Sequence, residues 1–151
     1  MLSEAQIYSA VIRRLVTKDH TFGRAQSPFK HVYVVDGSVP RAGNVMAGLR
    51  PAPEPFPPEV KQAITERLSS LPPLEFISHP DRVRLGPEGI GGVRNAAVII
   101  SLSPIERGKE KLKVGTGLWC GGTCGQWVSY LLTRQGGRWK ITRTACPCAI
   151  A

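Results

Sequence analysis

Four cysteines in 151 residues are too few for a disulfide scaffold, and a chain of this length buries a real core without such staples. No apolar run approaches the roughly 18 residues of a membrane-spanning helix. Acidic residues are scarce: 11 Asp and Glu stand against 20 Lys and Arg, a formal charge of +9. Catalytic signatures are missing too. There is no Ser-His-Asp order, no His-Glu-x-x-His and no paired-carboxylate pattern. The glycine-rich stretch 86–92, GPEGIGG, lacks the Lys-Ser/Thr of a phosphate-binding loop and no helix follows it, so it reads as a turn.

What is present is ordinary for a soluble globular domain, with 42% apolar and 21% charged residues. Length predicts one domain over 1–151. Excess positive charge invites a nucleic-acid reading. However, the cations are spread from Arg13 to Arg143 with no run longer than two. That spacing fits a solvated surface and favours a small molecule or a protein over nucleic acid as partner. The first residues, MLSEAQIYSAVIRRL, do not read as a signal peptide, because Glu4 comes early and Arg13 and Arg14 interrupt the apolar positions. The expectation is a cytoplasmic protein as written, or an extracytoplasmic one if an export signal has been trimmed.

Ser3 and Gln6 can form a capping box, and Ile7, Tyr8, Val11, Ile12 and Leu15 keep helical spacing, which predicts a helix from about Glu4 to Thr17. Residues 31–39, HVYVVDGSV, read as a strand with Asp36-Gly37 as its turn. Residues 40–58 hold six prolines and two glycines and form a proline-rich loop or arm. Pro58 suits a first helical position, and Val60, Ala63, Ile64 and Leu68 give the following helix one apolar face before Pro72-Pro73 stop it. Residues 74–85 read as a strand with a bent extension, broken by Pro80. AAVIISL, at 96–102, predicts a central strand. KLKVGTGLW, QWVSYLLT and RWKITRTA complete a meander of strands.

Two helices and such a meander define an α+β domain, a curved antiparallel sheet packed against both helices. The motifs Asp19-His20-Thr21-Phe22-Gly23, Ile99 through Ile105 and Tyr130 through Ile141 are short but distributed. With the opening amphipathic helix, they resemble a group of uncharacterised bacterial α+β proteins, many exported or lipid-anchored. The closing hairpin resembles that of the cone-shaped NTF2-like and cystatin-like folds. The resemblance implies a sheet whose concave face houses a pocket, and it carries no activity.

Register follows from the turns. A turn at Gln135-Gly136 pairs Leu132 with Trp139, Tyr130 with Ile141 and Val128 with Arg143. A loop at 121–123 pairs Cys120 with Cys124, Leu112 with Leu132 and Val114 with Tyr130. One face is then apolar and the other basic, with Lys111, Lys113, Arg138 and Lys140. Cys124 falls opposite Pro147, so Cys120, Cys124, Cys146 and Cys148 are expected to gather at one end of the sheet. Three chemistries stay open there: disulfides (Cys120 with Cys124, or either with the tail), four thiolates holding Zn²⁺, or reduced cysteines acting as small apolar residues.

Three functional readings follow. The first is a non-catalytic binding or interaction domain with a structural cysteine cluster. The second is an enzyme with a small-molecule site in the sheet-helix cavity near His20, Tyr130 and Arg143, since a cation on the apolar face needs an acidic partner or ligand. The third is nucleic-acid binding through the basic sheet face. Asp19-His20 reads as a loop anchor rather than a catalytic pair. Trp119 and Trp127 fall toward the basic face, to be covered by a helix or by the proline-rich arm.

Overall fold

The structure, a computed structural model, describes residues 2–20, 28–46, 49, 52–122 and 124–150, with only the backbone described for residues 2 and 145–150. Helix α1 spans Leu2–Thr17 and strand β1 His31–Ser38. Helix α2, Pro58–Arg67, precedes β2, Leu74–Ile77. A short hairpin of β3, Arg84–Leu85, and β4, Gly92–Val93, leads into β5, Ala97–Leu102. Then come β6, Glu106–Arg107, β7, Lys111–Gly121, β8, Cys124–Gln135, and β9, Arg138–Ile150. The main sheet runs β2-β1-β5-β7-β8-β9, with β6 paired to β7.

The chain is α+β, and its sheet is mostly but not wholly antiparallel. Strand β1 lies parallel to both β2 and β5. A crossover through the arm and α2 returns the chain to the starting end of the sheet, which is how parallel neighbours are joined. Asp36-Gly37 is accordingly not a hairpin turn: both residues continue β1. Six consecutive residues of β1 and all six of β5 are buried, as strands covered on both faces must be.

One face of the sheet meets the helices. Ile7, Val11, Ile12 and Leu15 of α1 and Val60 and Ile64 of α2 pack on Val98, Ile100 and Leu102, then on Leu112, Val114, Tyr130 and Leu132. Each such side chain is worth about 1.5–3 kcal/mol on burial. The Tyr8 hydroxyl donates to the Ser103 carbonyl at 2.8 Å and ties α1 to the end of β5. On the opposite face, Tyr33, Val35, Ile99 and Trp119 are covered by Val39 and Val45 of the arm and by Val83 and Val93 of the small hairpin. The basic, solvated face is therefore confined to the far part of β7–β9. The arm covers the tryptophan end, where Trp127 Nε1 donates to the Gly43 carbonyl at 2.8 Å.

The arm is fastened at Asp36. This buried carboxylate accepts from the Phe56 N–H at 2.9 Å and from Lys61 Nζ at 2.9 Å. Next to it, Gly37 sits at φ +121, and a Cβ there would lie 2.3 Å from the Glu54 carbonyl oxygen. The backbones of β1 and the arm approach this closely only because the residue is glycine.

The β7–β8 register matches the expected one from Lys111↔Thr133 to Trp119↔Gly125. It then slips: Gly121 pairs with Cys124, and Cys120 becomes a bulge. In β8–β9 the turn is Gly136-Gly137, both at positive φ, one position later than the sequence suggests. Leu132 faces Ile141, not Trp139. An extra residue at Thr142 then shifts the register so that Arg143 pairs with Leu131, and Tyr130 with Thr144.

Candidate functional site

A cleft of about 500 Å³ opens between α1 and the edge strand β9. Helix α1 contributes Arg13 and Arg14, the turn after it Lys18, α2 contributes Arg67, and β9 contributes Arg138 and Lys140. No carboxylate, imidazole or thiol is among its described lining residues. Apolar surface comes from Ala10, Ile141 and the half-buried Trp139. Arg134, the cross-strand partner of Trp139, holds its guanidinium carbon 6.0 Å from the indole centroid.

Two of the cations are oriented by the fold. Arg13 donates to the Arg67 carbonyl at 2.6 Å and to Ser70 Oγ at 3.0 Å, satisfying a carbonyl at the C-terminal end of α2. Arg14 Nε lies 3.1 Å from Asp19 Oδ2. Lys18, Arg67, Arg138 and Lys140 form no ion pair among the described residues. On the cleft wall, Ser9 is 5% exposed and its Oγ has no hydrogen-bond partner among the described residues. A buried hydroxyl left so is a donor and acceptor in waiting.

Behind the cleft, Asp19 is a hub. It accepts from Tyr130 Oη at 2.8 Å and from Arg14, and its carbonyl accepts from the Gln126 side chain. Burial first, then this hydrogen bond and the carboxylate charge, push the Tyr130 phenol far above its ordinary range. Asp19 thus anchors the end of α1 to β8, the loop-anchoring role expected of Asp19-His20. His20 is buried with its ring edge-on to Phe29 at 6.1 Å. The rest of that motif, residues 21–23, lies outside the described residues.

Tyr130 and Arg143, two of the residues suggested for a sheet-helix site, lie on opposite faces of the sheet. Tyr130 is fully buried and spends its hydroxyl on Asp19. Arg143 is exposed on the outer face, because the bulge at Thr142 reverses the side chains that follow it. None of His20, Tyr130 and Arg143 borders the cleft. Of the basic-face residues, Arg138 and Lys140 do border it, while Lys111 and Lys113 stand exposed two strands away on β7.

The cysteines divide. Cys120 and Cys124 form a disulfide across the β7–β8 tip, Cα to Cα 5.2 Å. As a disulfide they offer no thiolates to Zn²⁺, and no group of three or more His, Cys, Asp or Glu among the described residues is placed to hold a metal. The expected position of Cys124 opposite Pro147 is corrected by the register. Ser129 pairs with Ala145 and Trp127 with Ala149, so residues 146–148 bulge opposite Val128. That is four residues along β8 from Cys124, on the order of 13 Å of strand. The side chains of Cys146 and Cys148 lie outside the described residues.

The cleft cations carried a legible signal that sequence reading passed over. Gln6, Ala10, Arg13, Arg14 and Lys18 recur at helical spacing beside the apolar stripe of α1. Their partners on β9 lie more than a hundred positions away, and only the fold joins them. No protein family, curated protein or solved structure matches the chain.

Proposed function

We propose that this chain is a non-catalytic binding domain whose site is the cleft between α1 and β9 and whose ligand is anionic. One observation carries the reading: six cationic residues border a single open cleft with no lining carboxylate among the described residues, Arg138 and Lys140 doing so from the outer face at its β9 rim. Convergent charge of one sign raises the local concentration of oppositely charged ligands. Arginine and lysine are donors without acceptor capacity, suited to phosphate or carboxylate oxygens, and Ser9 Oγ adds a neutral partner. No carboxylate, imidazole or thiol, the groups general acid–base chemistry most often uses, is among the described lining residues. The paired Cys120–Cys124 bridge serves structure in this reading.

The test is titration with inorganic polyphosphate, followed by calorimetry over a range of salt. Affinity should fall steeply as salt rises, with a slope set by the phosphates neutralised. Arg138→Glu combined with Lys140→Glu should abolish binding, while Arg82→Glu, on an exposed turn outside the cleft, should leave it near the native value. Equal loss in both variants would mean that net charge, not the cleft, does the binding.

A further inference from the structure

We infer that the occupant of the cleft is a single-stranded nucleic acid, with one base stacked on Trp139 and its phosphates passing from the cleft around the β9 edge onto the outer face. The inference rests on the anion-binding reading above and names its ligand.

Three features point this way. The cleft is not only cationic. An indole, Trp139, shares the lining with the Arg and Lys residues, as do Ala10 and Ile141. A bare polyanion has no use for an aromatic platform, whereas every base offers a π-face to stack on. Second, the positive charge does not stop at the rim. Lys140 pairs with Thr133 and Thr133 with Lys111, so a row crosses three strands to a second exposed cation about 10 Å away. Lys113 stands two residues along β7, on the same face. Such a track suits an extended chain of phosphates better than one small anion. Third, stacking on Trp139 requires an exposed base face, which a duplex hides.

Competing occupants fit less well. An acidic peptide could add a strand to the open edge of β9, but Thr142 and residues 146–148 bulge there and Pro147 lacks an N–H, which breaks the regular ladder that strand addition needs. A lipid surface would call for exposed apolar side chains at the site. Among the described residues, the exposed large ones, Leu85 and Ile90, belong to the β3–β4 hairpin and its loop and do not line the cleft.

The experiment compares fluorescein-labelled oligo-dT and oligo-rU with inorganic polyphosphate of matched charge, using anisotropy and competition. The oligonucleotides should bind more tightly than polyphosphate. Trp139→Leu should weaken them roughly ten-fold, the loss of one stacked base, and leave polyphosphate unchanged. Trp139→Phe should restore most of the loss. Lys111→Glu with Lys113→Glu should erase the advantage of a long oligonucleotide over a short one. In the native protein, oligonucleotide but not polyphosphate should quench tryptophan fluorescence, a readout that stands even if Trp139→Leu fails to fold. If polyphosphate binds as well as oligonucleotide, or Trp139→Leu weakens both alike, the nucleic-acid inference falls and the anion cleft stands. If neither binds, both fall. Better displacement by a duplex or by polyglutamate would overturn the single-strand assignment in favour of that competitor.

Discussion

Replacing Asp36 by alanine tests how the proline-rich arm is held to the sheet. The native carboxylate serves two donors, the Phe56 N–H and Lys61 Nζ, each at 2.9 Å. Phe56 is 6% exposed, so its amide has no water to turn to when the acceptor is removed. A buried donor left unsatisfied costs about 1–3 kcal/mol. Lys61 keeps 29% of its side chain exposed and can swing to solvent, so its share is about 1 kcal/mol or less. Asp36→Ala should therefore cost about 1–4 kcal/mol. At about 2–4 °C per kcal/mol for a chain of this size, Tm should drop by about 2–16 °C. Asp36→Asn keeps an oxygen for Phe56 and gives up only the charge, so about 1 kcal/mol is expected. Gly37→Ala attacks the same junction sterically and should cost about 2 kcal/mol or more, since its Cβ meets the Glu54 carbonyl at positive φ. Urea denaturation gives the energies, and hydrogen exchange at the Phe56 amide reports the arm itself. An Asp36→Ala protein within ~0.5 kcal/mol of native, or one with unchanged protection at Phe56, would refute the account.

Two other outcomes are expected. Burial, helped by Glu4 at Tyr8 and by the Asp19 hydrogen bond at Tyr130, keeps both phenols protonated well beyond their ordinary range in the folded chain. The unfolded chain releases those protons near pH ~10, so their contribution is fully present below that pH and is lost above it, by about 1.4 kcal/mol per pH unit for each phenol. Urea midpoints at a series of alkaline pH values check this, and Tyr130→Phe should remove about half of the slope. The Cys120–Cys124 bridge closes a loop with a sequence separation of 4. Cys120→Ser with Cys124→Ser should therefore cost only about 2 kcal/mol by restricting the unfolded chain less, and a chelator added to native protein should leave Tm where it was.

Local signals carried much of the fold. Apolar spacing located α1 and α2, the β-branched run located β5, and a glycine-rich tip placed the β7–β8 pairing correctly over most of its length. Strand direction was not legible, because a run such as HVYVVDGS reads the same whether its neighbours run parallel or antiparallel. Asp36-Gly37 has turn chemistry, yet the structure uses it for a part-buried ion pair and a close backbone crossing. The gravest slip turned on one residue. Thr142 is extra in β9, and with a side-chain period of two that extra residue carried Arg143 from the core face to solvent. The cleft was hidden for another reason: cations that are dispersed along the chain say nothing of one another until helix and edge strand are laid side by side.

The wide sequence separation of the cleft walls bears on when the site comes into being. Its first wall ends at Lys18, and its strand wall begins at Arg138. A ribosome delivering ~5–20 residues per second has made the first wall seconds before the second exists. A nascent chain therefore carries the arginines of α1 before the cleft exists, and the cleft is complete only when the β8–β9 hairpin docks. Any ligand that needs both walls distinguishes a chain with the β8–β9 hairpin docked from one without it. By mass action it also stabilises that docked state alone, by about 2.7 kcal/mol at a hundred times its Kd.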